Sequence, residues 1–499
     1  MMKKLIQGLC IVAGVCLMPV TASGQEAPAE TRAPAWKTLQ DETIERPLPY
    51  QIKVQQEGGL VREISLEDAI RLALINNLEL EIENYNEELN RERIIETKGF
   101  YDPRLRFSFG WRSSERPSTS VLDAGQGIPT NISKNWLFDT EVLQNVPGGG
   151  SLSLLFQSDR VTTNSAFSFI NPRYGSDFQV QFIQPLWRGF LETETNRQLK
   201  LYNLDSEISD RQFEQRVSEV IQRVENQYWE LVFALENYEA RRQSMELAIV
   251  QFENNKRRSS IGVLAPIEIT SSRAEVASRQ QDMIQVEVQI INAENALKRL
   301  LTPDPQDSLW QVTLIPTDRP LVRDVTISLE EAINTALQRR PELEQVRLRM
   351  EQNDVDRSYY QKQGKPAVNL RTTFLSTGTA GVVFRDTLAD LDGDGVPETR
   401  IGREPNPDSA FFGNFSETFG QVFGFDFRTY DIAVDVWIPL RNRTNEAQLA
   451  QVAISDRQLR SQLRNIEQEV LVEVRDAYQS LDTQKKRLEA ARLTTELTR

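Results

Sequence analysis

Residues 64–81 return almost unchanged as residues 327–344, so any fold for this chain has to be built twice. Ile64-Ser65-Leu66-Glu67-Asp68-Ala69-Ile70 becomes Ile327-Ser328-Leu329-Glu330-Glu331-Ala332-Ile333 at an offset of 263, and 11 of the 18 positions are identical. The register holds further on. Pro103 meets Pro366, and Leu105, Phe107 and Trp111 meet Val368, Leu370 and Phe374. A match that persists across a helix, a proline and a following alternating segment marks a structural repeat rather than two similar helices. One copy occupies residues 64–310 and the other residues 327–499, with residues 311–326 as a linker.

Each copy opens on a capping-box pattern, Ser65…Asp68 and Ser328…Glu331. The serine oxygen can accept from a first-turn N–H while the acid reaches back to the cap. Residues 60–98 carry no proline and no glycine after Gly59, which predicts one helix over that stretch. After Pro103 the period changes to two. Leu105, Phe107, Phe109 and Trp111 face one way, and Arg104, Arg106, Ser108 and Arg112 the other. That is a strand with one apolar face. Phe178, Val180 and Phe182 alternate with Gln179 and Gln181, and Tyr430, Ile432, Val434, Val436 and Ile438 alternate with Asp431, Ala433 and Asp435. A further pair, about 136–146 and 151–160 around Gly148-Gly149-Gly150, reads as a hairpin in an excursion between the first two main strands. Residues 377–427 form the matching excursion of the second copy.

Very long helices follow. Residues 190–260 contain neither Gly nor Pro, and as one helix would reach roughly 105 Å. Phe213, Val217, Val220, Val224, Tyr228, Leu231, Leu235, Tyr238, Met245, Ile249 and Phe252 recur at steps dominated by three and four, as in coiled coils, with Arg242 breaking the stripe. The turn at Ser259–Pro266 ends this helix, and residues 267–302 run back, again without Gly or Pro. An antiparallel helical hairpin with an exposed, partly apolar tip is expected. The second copy reaches Arg499 inside its long helix, so by internal comparison about 50–65 residues have no counterpart there.

Composition narrows the chemistry. The 499 residues include no histidine, and the two cysteines, Cys10 and Cys16, lie in the first twenty. Ser-His-Asp and Cys-His nucleophile systems and His-ligated zinc therefore drop out, and the paired carboxylates sit on helices among Arg and Gln as solvated faces. No enzyme is expected. Lys3 and Lys4, an apolar run from Leu9 to Val20, and small residues at Ala22, Ser23 and Gly24 describe a secretory signal peptide over residues 1–22. Residues 23–63, without a sustained period, read as a flexible lead-in. No segment is long and apolar enough to span a bilayer as a helix, so an exported chain of this kind enters a membrane as a β-barrel. The formal charge of −14 argues against a nucleic-acid partner and suggests a lumen favouring cations.

Helix, strand, excursion, a strand ending in Gln184-Pro185-Leu186 or Ile438-Pro439-Leu440, long helix, Gly-containing tip and return helix, duplicated behind a signal peptide, resemble the TolC-like outer-membrane efflux protein family over residues 64–499. The resemblance implies an α+β membrane protein: a homotrimer in which each protomer gives four strands to a shared twelve-stranded barrel and its very long antiparallel coiled-coil helices to a periplasmic α-barrel. It implies a passive export conduit, the outer-membrane component of a tripartite efflux or type I secretion system. The partners would be a periplasmic adaptor (membrane fusion) protein, an inner-membrane pump and outer-membrane lipid. Ile261, Gly262, Val263 and Leu264 match a family tip that contacts the adaptor. The acidic residues with which the family constricts its lumen lie on the second return helix, so no residue here inherits that role. A coiled-coil envelope spacer or periplasmic adaptor without a pore is the alternative, but it has no use for amphipathic strands.

One motif stands outside this plan. Asp390, Asp392 and Asp394, with Gly395 at the turn and Glu398 nearby, space oxygens as the first part of a calcium loop does. The twelfth position is Ile401 rather than a bidentate acid. Calcium is the one cofactor the sequence suggests.

Overall fold

The structure is a computed structural model, and it describes residues 44–117, 129–165, 167–320, 327–389 and 399–498. The signal-peptide segment and the candidate calcium loop, Asp390, Asp392, Asp394 and Glu398, lie outside the described residues. The chain forms two compact units. Among the described residues, one comprises those up to Ile64 with Gln227–Leu297 and Ser308–Pro316, and the other comprises those of Ser65–Asn226, Lys298–Asp307 and from Thr317 onward.

In the first unit the lead-in is not featureless. It holds helix α1 (Tyr50–Gln56) and strand β1 (Leu60–Ile64), and β1 pairs in parallel with β6 (Val312–Pro316), inside the segment expected to be a linker. The partners are 252 residues apart, so no local period announces them. Tyr50 meets the Tyr238 ring edge-on at 5.3 Å, the Tyr238 hydroxyl donates to the Leu48 carbonyl, and the Tyr228 hydroxyl donates to that of Ile64, each at 3.1 Å. These three anchors order a stretch whose own composition would leave it loose.

Most of this unit is helical hairpin. Helix α4 (Glu194–Ser260) runs for 67 residues and α5 (Ile267–Leu301) for 35. Beyond residue 226, α4 buries Leu231, Tyr238, Met245 and Phe252, each seven residues from the last; α5 buries Ile269, Val276, Met283 and Ile290 at the same spacing. Two strict heptad ladders mirrored about one turn are the pattern of an antiparallel coiled coil. Arg241 and Asp282, similarly far from the reversal, come within 3.5 Å and fix that sense. Arg242, which interrupts the stripe, turns its guanidinium to Glu239 and Glu246 of its own helix.

The second unit contains the repeat. Helices α2 (Leu66–Asn76) and α3 (Leu78–Lys98) correspond to α6 (Leu329–Arg339) and α7 (Pro341–Gln363). Ser65 and Ser328 are the N-caps, accepting from the N–H of Asp68 at 3.1 Å and Glu331 at 3.2 Å. Asp68 takes the Ser65 hydroxyl instead of reaching back to the cap, so half of the expected box forms. The single helix expected across residues 60–98 is two helices after a strand. The break falls at Asn77, ψ 121°, whose side chain caps α3 by accepting from Glu79 N–H. In the second copy it falls at Arg340, before Pro341. A proline announces one break; at the other, an asparagine that competes for backbone N–H groups does the same work.

Helices of the two copies interleave. The α3–α4 contact carries the bidentate Arg223–Glu79 pair at 2.6 and 2.7 Å. Between α4 and α7 lie Leu204, Ile208 and Leu348, with Arg197 on Asp356 at 2.7 Å. Helix α7 then meets α9 (Arg443–Thr498) through Asn353, which donates to the Val452 carbonyl, and through Arg340–Glu473. The sheet in this unit runs in the order β2 (Arg104–Pro117), β3 (Thr130–Asn145), β4 (Ser151–Thr163), β5 (Ile170–Pro185), β7 (Ala367–Ala389), β9 (Phe427–Trp437), antiparallel throughout. The β3–β4 pair is not an excursion. It stands inside the wall between β2 and β5, with β2 and β3 paired from Arg104↔Leu143 to Pro117↔Thr130. Six strands therefore run side by side across this sheet, because β3 pairs with β2 and β4 with β5 along their lengths. Beyond it, β8 (Thr399–Pro405) pairs with the far end of β7, and helix α8 (Phe415–Gly424) follows.

Candidate functional site

Two features could act on something outside the chain: the faces of the sheet and the reversal between α4 and α5. Cross-strand register assigns the faces without ambiguity, since residues directly paired share a side. On one face Leu105, Phe107, Phe109 and Trp111 of β2 lie in rows with Val142, Thr140, Phe138 and Trp136 of β3. The Leu105 row continues across Leu154, Val180 and Phe374 to Tyr430 of β9, and the Phe107 row across Phe156, Phe178 and Ser376 to Arg428; Ile432, Val434 and Val436 of β9 lie on the same face in further rows. On the two edge strands these side chains are open, Phe109 being 71% exposed and Ile432 74%, while those of the inner strands β4, β5 and β7 are half-buried. From Leu105 to Trp111 the strand covers roughly 20 Å, comparable to the roughly 25 Å lipid-facing band of an outer-membrane barrel. Trp111 and Trp136 lie together at one end of it, with ring centroids 6.1 Å apart, whereas Trp437 falls by register on the opposite face, in phase with Asp435. Among the described residues no helix is long and apolar enough to cross a membrane.

The opposite face is polar. Arg106 pairs with Glu141 at 2.8 Å, Arg173 with Asp159 at 2.5 Å, and Arg371 approaches Asp435 at 3.9 Å. Gln157, Gln179, Gln181 and Thr373 fill the positions between them. A sheet that is apolar on one side and charged on the other can separate lipid from water. Near the end marked by Trp111, helix α8 lies on the apolar face. Ser176 and Thr418 share a hydroxyl hydrogen bond of 2.8 Å, Ser376 donates to the Val422 carbonyl at 2.7 Å, and Phe419 and Phe423 stand against Phe156.

The reversal is a Schellman motif. Val263 N–H donates to the Arg258 carbonyl at 2.9 Å and Gly262 N–H to that of Ser259 at 3.0 Å. Gly262 sits at φ +77°, which glycine adopts without the penalty a β-carbon brings. Ile261 and Val263 are 73% and 64% exposed, while Leu264 is half-buried. The structure thus brings all four tip residues predicted from sequence into one turn and leaves three of them, Ile261, Gly262 and Val263, open to solvent. It adds Ile267, 70% exposed in the first turn of α5, which sequence reasoning missed. Its only signal was an isoleucine directly after the helix-starting Pro266. Arg257 and Arg258 end α4, where cations complement the helix dipole. No cluster of three or more Cys, Asp or Glu side chains that could hold a metal occurs among the described residues.

By sequence, no family model and no curated protein matches the chain. By structure it is similar to a membrane protein from Pseudomonas aeruginosa, with a TM-score of 0.56 and 16% identity over 90% of this chain and 85% of the other. It is similar to CusC, described in terms of folding and transmembrane channel formation, with a TM-score of 0.54 and 12% identity over 90% and 84%. The CmeC outer-membrane channel of Campylobacter jejuni gives 0.54 and 14% over 95% and 83%. The sequence thus carries, at low identity and over nearly all of its length, the fold of the TolC-like outer-membrane channels.

Proposed function

We propose that the chain is the outer-membrane channel component of a tripartite efflux or type I secretion system, a passive conduit across outer membrane and periplasm that alters nothing it carries. The observation that carries this reading is the sheet: an apolar face with Trp111 and Trp136 at one end, a charged face behind it, and open strands at both edges. Such a sheet is complete only when closed against further copies. Its likeness to solved outer-membrane channels supports the same role and location. Three copies would share one barrel, as in the family the sequence resembles. The helical tip, with Ile261 and Val263 open and Gly262 holding the turn, would receive the periplasmic adaptor of an inner-membrane pump. A coiled-coil spacer without a pore would have no use for the amphipathic wall.

The test is direct. The full chain, purified in detergent and added to a planar bilayer, should give steady unitary conductance. Absence of conductance from a properly assembled particle would reject the conduit. For the tip, Ile261→Ser with Val263→Ser should leave thermal stability and conductance unchanged while abolishing co-purification of a periplasmic adaptor protein from the host's envelope that the unaltered chain retains. Retained adaptor binding would reject the contact.

A further inference from the structure

We propose that the membrane wall built by this chain has eighteen strands, six from each of three copies, with β2 of one copy hydrogen-bonded to β9 of the next. The inference rests on the conduit reading for the number of copies, and departs from the twelve-stranded wall that the sequence resemblance implies.

The strand count comes from the register. Main-chain pairing is continuous from β2 through β3, β4, β5 and β7 to β9, with 14 partners between β2 and β3 and 11 between β7 and β9. The β3–β4 pair has the same two-faced character as its neighbours: Phe138 and Val142 lie on the apolar side, Asp139 and Glu141 on the polar side. Lifting that hairpin out of the wall would break both of its outer ladders and bare charged side chains to lipid, an expensive exchange. Six is also an even number. The outermost strands β2 and β9 run in opposite senses, so copies placed side by side join antiparallel at each seam and any ring of them closes without a mismatch.

The two edges suit each other. Neither β2 nor β9 has a second partner strand among the described residues. On the apolar side the edge rows present Leu105, Phe107 and Phe109 on one strand and Ile432, Val434 and Val436 on the other, so the lipid-facing band would cross the seam unbroken. On the polar side β2 carries Arg104, Arg106 and Arg112, and β9 carries Asp431 and Asp435. Opposite charges on facing strands stabilise a pairing, and like charges would oppose a β2–β2 or β9–β9 seam. The charge pattern therefore selects head-to-tail closure by a second copy over self-pairing of either edge. With strands roughly 4.8 Å apart and tilted by about 40°, eighteen strands give a wall roughly 36 Å across, against roughly 24 Å for twelve.

Electron cryomicroscopy of the intact particle in detergent counts the strands. Eighteen around three copies is the expected result. Twelve strands, with β3 and β4 outside the wall, or closure of the six strands within a single copy, would overturn it. Crosslinking reads the seam independently, since the only cysteines, Cys10 and Cys16, lie in the proposed signal segment. Ser108→Cys combined in turn with Asp431→Cys, Ala433→Cys and Asp435→Cys should give, for one of the three pairings, a reducible ladder ending at a covalent trimer. A reducible dimer from Ser108→Cys alone would show β2 against β2 and reject the head-to-tail seam. Bilayer conductance separates this inference from the one beneath it. A conducting twelve-stranded particle rejects the strand count and leaves the conduit, whereas an eighteen-stranded particle without conductance does the reverse.

Discussion

Glu79 shows what a single side chain contributes and how far the sequence reveals it. Arg223 grips its carboxylate through both guanidinium nitrogens, and this hydrogen bonding, against a smaller opposing effect of burial, holds Glu79 below the usual carboxylate range. A carboxyl group that is more acidic in the folded protein makes the unfolded chain bind the extra proton. Its stabilisation is therefore present at neutral pH and lost as pH falls through the carboxylate range. Both side chains are more than 40% exposed, so screening keeps the effect small, about 0.5 kcal/mol. Glu79→Gln should lower the thermal midpoint slightly at pH 7 and not at pH 3. An equal shift at both pH values would assign the loss to packing instead. Nothing in the sequence pointed to this pair, because its members are 144 residues apart and each looks like one more solvated charge. Gly262 was legible for the opposite reason: a glycine between apolar residues at the end of a long helix has a local cause that local sequence records.

Elements were readable wherever their period was self-contained. The span of α4, the return of α5 and the alternation of β2 and β9 all follow from short-range patterns. The break at Asn77 was not legible, since asparagine is tolerated inside helices as well as between them. Nor was the place of β3 and β4. A hairpin looks the same whether it joins a sheet or stands apart from it, and only the ladder to β2 decides. Helix α8 was equally hidden within a glycine- and phenylalanine-rich stretch. Its seat on the sheet depends on small residues beneath it: Ser158, Ser176 and Gly378. A β-carbon on Gly378 would lie 2.3 Å from the Thr418 carbonyl oxygen, so the backbones touch there. Gly378→Val should displace α8 and cost about 1–3 kcal/mol, read as a lower temperature for losing the folded band on unboiled gels. Gly402, with nothing within 4 Å of its β-carbon position, is the control, and Gly402→Val should leave that temperature unchanged.

At the scale of the whole molecule the repeat was the most faithful guide. The offset of 263 carries Ser65 onto Ser328, the break at Asn77 onto Arg340, and the first residue of β2 onto that of β7. Net charge was a poorer one. A formal −14 suggested a cation-favouring passage, yet the polar face of the paired strands does not share that excess. Arg104, Arg106, Arg112, Arg116, Arg173 and Arg371 stand there beside Asp139, Glu141, Asp159, Asp177, Asp431 and Asp435, six of each sign. The acidic surplus therefore lies elsewhere, and the wall by itself is balanced. Balance of this kind has a measurable consequence, because rings of one sign are what bias a pore toward one ion. Neutralising Arg106 and Arg371 together, as Arg106→Gln and Arg371→Gln, should move the reversal potential in a salt gradient toward cations. Asp431→Asn with Asp435→Asn should move it toward anions by a similar amount. Reversal potentials that ignore both pairs would mean that these side chains do not line the ion path, and that the charged face of the sheet is not the wet one.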